Sequence, residues 1–143
     1  MLSLLMLTGL KAQTTEDSVK IAVNKLFDAM KGRDTALLLS AFGDSAVLQT
    51  ISKSKDGKTL VKNETLAEFA KAVLSAPKGS LDERIRFENI LIDGPLAMVW
   101  TPYQFYFNRK FSHCGVNSFQ MVRFDGEWKI QYIIDTRRRE GCE

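Results

Sequence analysis

The last third of the chain, Leu96 to Arg138, constrains the fold more than any other stretch, because it reads as three long antiparallel strands joined by two short turns. Asp125-Gly126 is a strong two-residue hairpin signal and pairs Phe124 with Glu127. Arg109-Lys110 is read as the second turn, pairing Asn108 with Phe111. Side chains alternate across a strand, so these pairings give every residue a face. One face collects Met98, Trp100, Gln104, Tyr106, His113, Asn117, Phe119, Met121, Trp128, Ile130, Tyr132, Ile134 and Thr136. It is apolar near Asp125-Gly126 and polar further along. Buried polar groups need partners, and a bound ligand is one way to supply them. Trp100, Gln104, Tyr106, His113, Asn117, Phe119, Tyr132 and Thr136 are therefore the candidate ligand-binding residues.

The other face carries Val99, Tyr103, Phe105, Phe107, Val116 and Ile133 among Thr101, Ser118, Gln120 and Gln131. Large exposed apolar patches on soluble proteins mark partner surfaces. Tyr103, Phe105, Phe107 and Val116 are accordingly the candidate dimer interface.

Helices precede the strands. Val19, Ala22, Val23, Leu26, Phe27 and Met30 follow helical spacing, with Thr14 or Thr15 as cap and Gly32 as stop. Asp34 caps a short second helix carrying Leu37, Leu38, Ala41 and Phe42 and ending at Gly43. Ser45 to Lys53 alternates as a strand, and Asp56-Gly57 turns it into a short partner at Thr59 to Val61. Asn63 is the cap for a third helix through Leu66, Phe69, Ala70, Val73 and Leu74, which Pro77 and Gly79 close. Arg84 to Ile92 is the next strand, with Ile85, Phe87 and Leu91 inward and Arg84, Arg86 and Glu88 outward. Helices gathered on one face of an antiparallel sheet make an α+β domain.

The chain of 143 residues has room for one domain with a sizeable core. Met1 to Leu10 is an apolar run ending in Lys-Ala-Gln, too short to span a bilayer but suited to a signal peptide cleaved between Ala12 and Gln13. An apolar arm packed on the domain is the alternative. Residues 1–12 are thus read as a signal peptide and 13–143 as the single domain, periplasmic or secreted, with no stable membrane anchor. Cys114 and Cys142 are the only cysteines. In an oxidising compartment an even count favours a disulfide, and a reactive thiol is the alternative. A net charge of +3 is too mild to argue for nucleic acid, and Arg137-Arg138-Arg139 reads as a solvated terminal run. One histidine and no clustered carboxylates leave no metal set and no cofactor motif.

The element order resembles the nuclear transport factor 2-like superfamily, the fold shared with ketosteroid isomerase and the SnoaL-like cyclases. Three local signatures carry the resemblance: Gly32-Arg33-Asp34 leading to Ala41-Phe42-Gly43-Asp44-Ser45-Ala46, the strand Phe119-Gln120-Met121-Val122-Arg123, and Asp125-Gly126-Glu127-Trp128-Lys129-Ile130. Within it, the chain looks most like the small exported bacterial proteins grouped as SnoaL-like and lumazine-binding. The resemblance implies a cone: a curved antiparallel sheet with three helices, all from the N-terminal half, on its concave face, as in cystatin-like folds. It also implies homodimers formed through the convex sheet surface.

Carried over residue by residue, the resemblance puts Thr50 where ketosteroid isomerases have their proton-abstracting aspartate, and Leu26 where they have their oxyanion-binding tyrosine. Threonine is not a usable base near neutral pH, and leucine donates no hydrogen bond. The reading is therefore a domain that binds a small amphipathic molecule without turning it over. The alternative is a cyclase, dehydratase or hydrolase using His113 as general acid or base with Tyr106 or Asp135. Asp135 alternates outward in this register, and a β-bulge would turn it inward.

Overall fold

A computed structural model describes residues 13–143, so the expected signal segment lies outside the described residues. Helix α1 (Thr15–Gly32) begins in a capping box, where Thr14 and Asp17 satisfy each other's backbone amides, and ends on Arg33 in a left-handed conformation. Val19, Ala22, Val23, Leu26, Phe27 and Met30 form its buried stripe. Asp34 caps α2 (Thr35–Ser40). That helix ends earlier than its apolar spacing suggests, because Phe42 already opens strand β1 (Phe42–Lys53). After β2 (Thr59–Glu64), α3 (Leu66–Ser75) is capped by Thr65 in a second capping box with Glu68, not by Asn63, which lies within β2. The expected strand from Arg84 is two shorter ones, β3 (Leu81–Ile85) and β4 (Asn89–Asp93), which both pair with β5 (Leu96–Phe107). Strands β6 (Lys110–Phe124) and β7 (Glu127–Thr136) follow.

The strands form one curved sheet in the order β2-β1-β7-β6-β5-β3, with β4 beside β5. All pairs are antiparallel except β1 with β7. The three helices pack with this unclosed sheet to give an α+β fold. Among the described residues no helix is long and apolar enough to cross a membrane. The core lies between α1 and the inner face, centred on Leu26, Leu38, Val99, Phe119, Met121 and Ile130.

Register follows the sequence at one hairpin and departs from it at the other. Phe124 pairs with Glu127 across Asp125-Gly126, both with positive φ. At the β5–β6 turn the left-handed residues are Asn108 and Arg109, at φ 48° and 67°, and Phe107 pairs with Lys110. Asparagine tolerates that conformation better than lysine, so the turn sits one residue before the Arg109-Lys110 reading. A bulge at Ser112 then sets Phe105 opposite His113. A second bulge at Gln131 separates the pairs Met121 with Ile130 and Gln120 with Tyr132. Each shift exchanges the two faces beyond it. Ala97, Val99, Thr101 and Tyr103 on β5 are therefore buried inside, as is Asp135 on β7, and Ile133 packs against the core partly buried. Met98, Trp100, Gln104, Tyr106, Tyr132, Ile134 and Thr136, expected inside, belong to the outer face.

Candidate functional site

At the open end of the sheet, away from the Asp125-Gly126 hairpin, the inner face changes from apolar to polar. Leu26, Phe27 and Met30 of α1, Phe42 and Leu48 of β1, Phe69 of α3 and Ile133 of β7 wall a cavity of about 90 Å³. Its polar end holds Thr50, Glu83, Asn117 and Asp135, with Glu64 and Arg137. Thr50, Glu64 and Arg137 also line a wider outer groove of about 640 Å³ with Ser52, Lys62 and Glu68, so the cavity opens toward that groove.

The two deep carboxylates have different surroundings. Asp135 is buried and well supplied. It accepts hydrogen bonds from the Thr50 hydroxyl at 2.6 Å and the Tyr103 hydroxyl at 3.2 Å, and pairs with Arg137 Nε at 2.9 Å. The Arg137 guanidinium also donates to Thr50 Oγ1 at 3.1 Å. Glu83 accepts one hydrogen bond, from Asn117 Nδ2 at 2.7 Å, and has no ion pair among the described residues. Burial, with the Asp135 charge adding to it, pushes the Glu83 carboxyl up to about 7. Burial likewise raises the Tyr103 phenol, again with help from Asp135, so Tyr103 stays a neutral donor.

The C-terminal end of β7 is held by several bonds. Tyr103 donates to the Thr136 carbonyl at 2.8 Å, the Thr136 hydroxyl accepts from the Val116 amide at 3.0 Å, and Cys114 and Arg138 exchange backbone bonds. Gly115 is required here, since a Cβ at that position would come within 1.8 Å of the Thr136 carbonyl oxygen. A disulfide joins Cys114 to Cys142 over a Cα separation of 5.8 Å. Together these fix the segment that carries Asp135 and Arg137.

Only Asn117 of the expected ligand-binding residues lines the cavity. Phe119 is inside but fully packed in the core. His113 shares the inner face yet stands away from the cavity, its ring 4.9 Å from Phe105 and 5.7 Å from Tyr103, with Ser112 at 3.1 Å from Nδ1. Burial, then Arg137, lowers its pKa and keeps it neutral. Trp100 is 39% exposed outside, Tyr106 lies under the Arg84 guanidinium and donates to Gln104, and Tyr132 donates to Gln49. Thr136 serves the tail. The expected dimer-interface set separates too. Tyr103 and Phe105 turn inward, Phe107 follows them by alternation, and Val116 stays outside beside Pro102.

Glu83 was within reach of sequence reasoning. Alternation inward at Ile85 and Phe87, continued two residues back, puts Glu83 inside. Starting the strand at Arg84 stopped that count one residue short. Thr50 and Leu26, the positions the resemblance singles out, do line the cavity, and a carboxylate arrives there from the facing strand, since Thr50 pairs with Asp135.

The family model described as "Putative lumazine-binding" matches residues 14–132. Similar solved structures include an NTF2-like protein of unknown function from Shewanella baltica, with TM-score 0.71 and 13% identity over 92% of this chain and 100% of that one. A cystatin-like domain of unknown function from Nostoc punctiforme gives TM-score 0.67 and 14% identity over 90% and 80%. An NTF2-like protein from Cytophaga hutchinsonii gives 0.64 and 18% over 87% and 99%. At such identities these structures speak for the fold alone. No curated protein matches the sequence.

Proposed function

We propose, for a chain that belongs to the "Putative lumazine-binding" family and to the nuclear transport factor 2-like superfamily, that the cavity under α1 binds a small amphipathic molecule. The supporting observation is the polar end itself. Glu83, Asn117, Asp135 and Thr50 terminate a cavity otherwise walled by aliphatic and aromatic side chains, and that cavity opens toward a groove. The ligand's polar end meets these groups and its apolar part lies against Phe27, Met30 and Phe69. At about 90 Å³ the cavity is smaller than the ~150 Å³ that admits benzene. A bicyclic heterocycle such as the family description names therefore inserts only an edge and leaves its bulk in the groove. Native mass spectrometry of protein from its own host, followed by denaturing identification, should release a retained small molecule. An empty protein whose cavity-lining resonances also ignore a fragment library would sink the reading.

One observation favours a second reading, an enzyme of the cyclase, dehydratase or hydrolase kind. Glu83 lines the cavity with a carboxyl near neutrality, where a general acid or base works best. In that reading Glu83 takes the role sequence reasoning gave His113, with Asp135 orienting the substrate. Glu83→Gln should then cut turnover ~10²-fold or more with binding retained.

Two further features belong to the same proposal. A second copy of the chain covers the outer sheet face, where Met98, Trp100, Val116 and Ile134 lie, in place of the Tyr103 and Phe105 surface. Sedimentation as a single ~16 kDa chain at micromolar concentration overturns this. The domain is exported, periplasmic or secreted, in keeping with the apolar Met1 to Leu10 run and the Cys114–Cys142 disulfide. The mature protein should then begin at Gln13 by intact mass.

A further inference from the structure

We infer that the cavity selects a ligand with a positively charged nitrogen, an alkylammonium or amidinium group, which pairs with the free oxygen of Glu83. This rests on the binding reading above and adds the ligand's charge to it. The argument begins with a count of charges around the cavity. Glu83, Asp135 and Glu64 bring three carboxyl groups, and Arg137 alone brings a guanidinium. Arg137 is committed to Asp135 at 2.9 Å and to Thr50, so it leaves nothing for Glu83. Lys31 and Arg84, the nearest basic residues along the chain on α1 and β3, are both bound to Asp82 on the opposite face of β3.

Glu83 is thus a deep carboxyl with one hydrogen bond, from a neutral amide, to Oε1. Its Oε2 has no hydrogen-bond partner among the described residues, and the residue lines the cavity. A buried carboxylate is costly unless paired, and a cation supplied from outside provides the missing charge. The walls suit the same class of ligand, since Leu26, Phe27 and Met30 offer apolar surface to an alkyl stem. An anionic head is disfavoured, because only Arg137 would welcome it and Asp135 already holds Arg137.

Binding of a cation requires Glu83 to ionise. The groups that face it are Asp135 of β7, Arg137 just beyond that strand, Tyr103 of β5 and Glu64 of β2, while α1 presents only apolar side chains there. Tyr103 remains neutral and Arg137 charged, burial also raises the Glu64 carboxyl, and burial with the Asp135 charge brings Glu83 to about 7, so Glu83 ionises across the neutral range. Affinity for a cation therefore rises with pH across that range.

The probes are n-propylammonium, n-propanol and propanoate, titrated into the full mature protein and followed by nuclear magnetic resonance shifts of cavity residues at pH 6, 7 and 8. The expected order is ammonium tightest and propanoate weakest, with the ammonium dissociation constant falling about tenfold from pH 6 to 8. Glu83→Gln should weaken propylammonium at pH 8 by about tenfold or more and flatten its pH dependence, with propanol unchanged. Propanol binding as well as propylammonium in the wild type overturns the charge preference and leaves the binding site standing, as does propanoate binding best. If none of the three shifts any cavity resonance, the binding reading fails and this inference falls with it. The wild-type series decides the question even where the variant folds poorly.

Discussion

The two ends of the same inner face obey different rules. Near the Asp125-Gly126 hairpin, Phe119, Met121 and Ile130 are fully buried and Trp128 nearly so, packed with Leu38 and Phe42. Near the strand ends toward the tail, the corresponding positions are Asn117, Tyr103 and Asp135, tied by hydrogen bonds to Glu83, Thr50 and Arg137. The apolar end is stabilised by burial, which is non-directional and tolerant. The polar end depends on each donor meeting its acceptor, and one carboxyl there is left short of a counter-charge. One end holds the fold, and the other carries a carboxyl whose burial works against it.

Four changes test this contrast, from the largest effect down. Phe119→Ala removes a fully buried ring that packs edge-on against Phe27, at 6.2 Å between centroids, and should cost about 4 kcal/mol in chemical denaturation. Joint Cys114→Ser and Cys142→Ser substitution opens a disulfide of sequence separation 28 and should cost about 3 kcal/mol. Hydrogen exchange should then rise at Val116 and Arg138 well before Met121; equal loosening at both ends would erase the distinction. Glu83→Gln should act in the opposite sense. The folded protein holds a proton up to about pH 7 that an unfolded carboxyl releases near 4.5, so stability drains away as pH rises through that window. Glutamine cannot ionise, so the variant should be more stable than wild type by on the order of 2 kcal/mol at pH 8 and equal to it at pH 4, read from melting curves. Thr65→Ala, which removes the α3 cap far from either end, should cost about 1 kcal/mol and leave cavity resonances unmoved.

The apolar end and the helices were legible in the sequence, and most of the polar end was not. The α1 stripe from Val19 to Met30 is dictated by helical period, and Asp125-Gly126 by turn chemistry, so both are local. Thr65 with Glu68 was equally readable as a capping box, although Asn63 looked a plausible cap. The faces of β5 and β7 depend on counts that run the length of a strand. Moving the turn to Asn108-Arg109 slides the register by two residues and keeps the sides, whereas one extra residue each at Ser112 and Gln131 exchanges them while leaving the residue types of the pattern intact. Nothing in the composition of β7 announces the Gln131 bulge, because Ile133 and Ile134 are equally apolar and either can face the core. Asp135 gave the one hint, as a carboxylate that has partners only on the inner side.

That single extra residue gives the lineage of this fold an unusual freedom. If Gln131 were drawn into the ladder opposite Gln120 in place of Tyr132, Trp128 and Ile130 would stay where they are and, from that point on, Tyr132, Ile134 and Thr136 would face inward in place of Ile133 and Asp135. The hydrophobic foundation would be untouched while the chamber lost one of its three carboxyls. Whether one residue is bulged out or paired at such a site resets the lining of the polar end without first redesigning what keeps the protein folded.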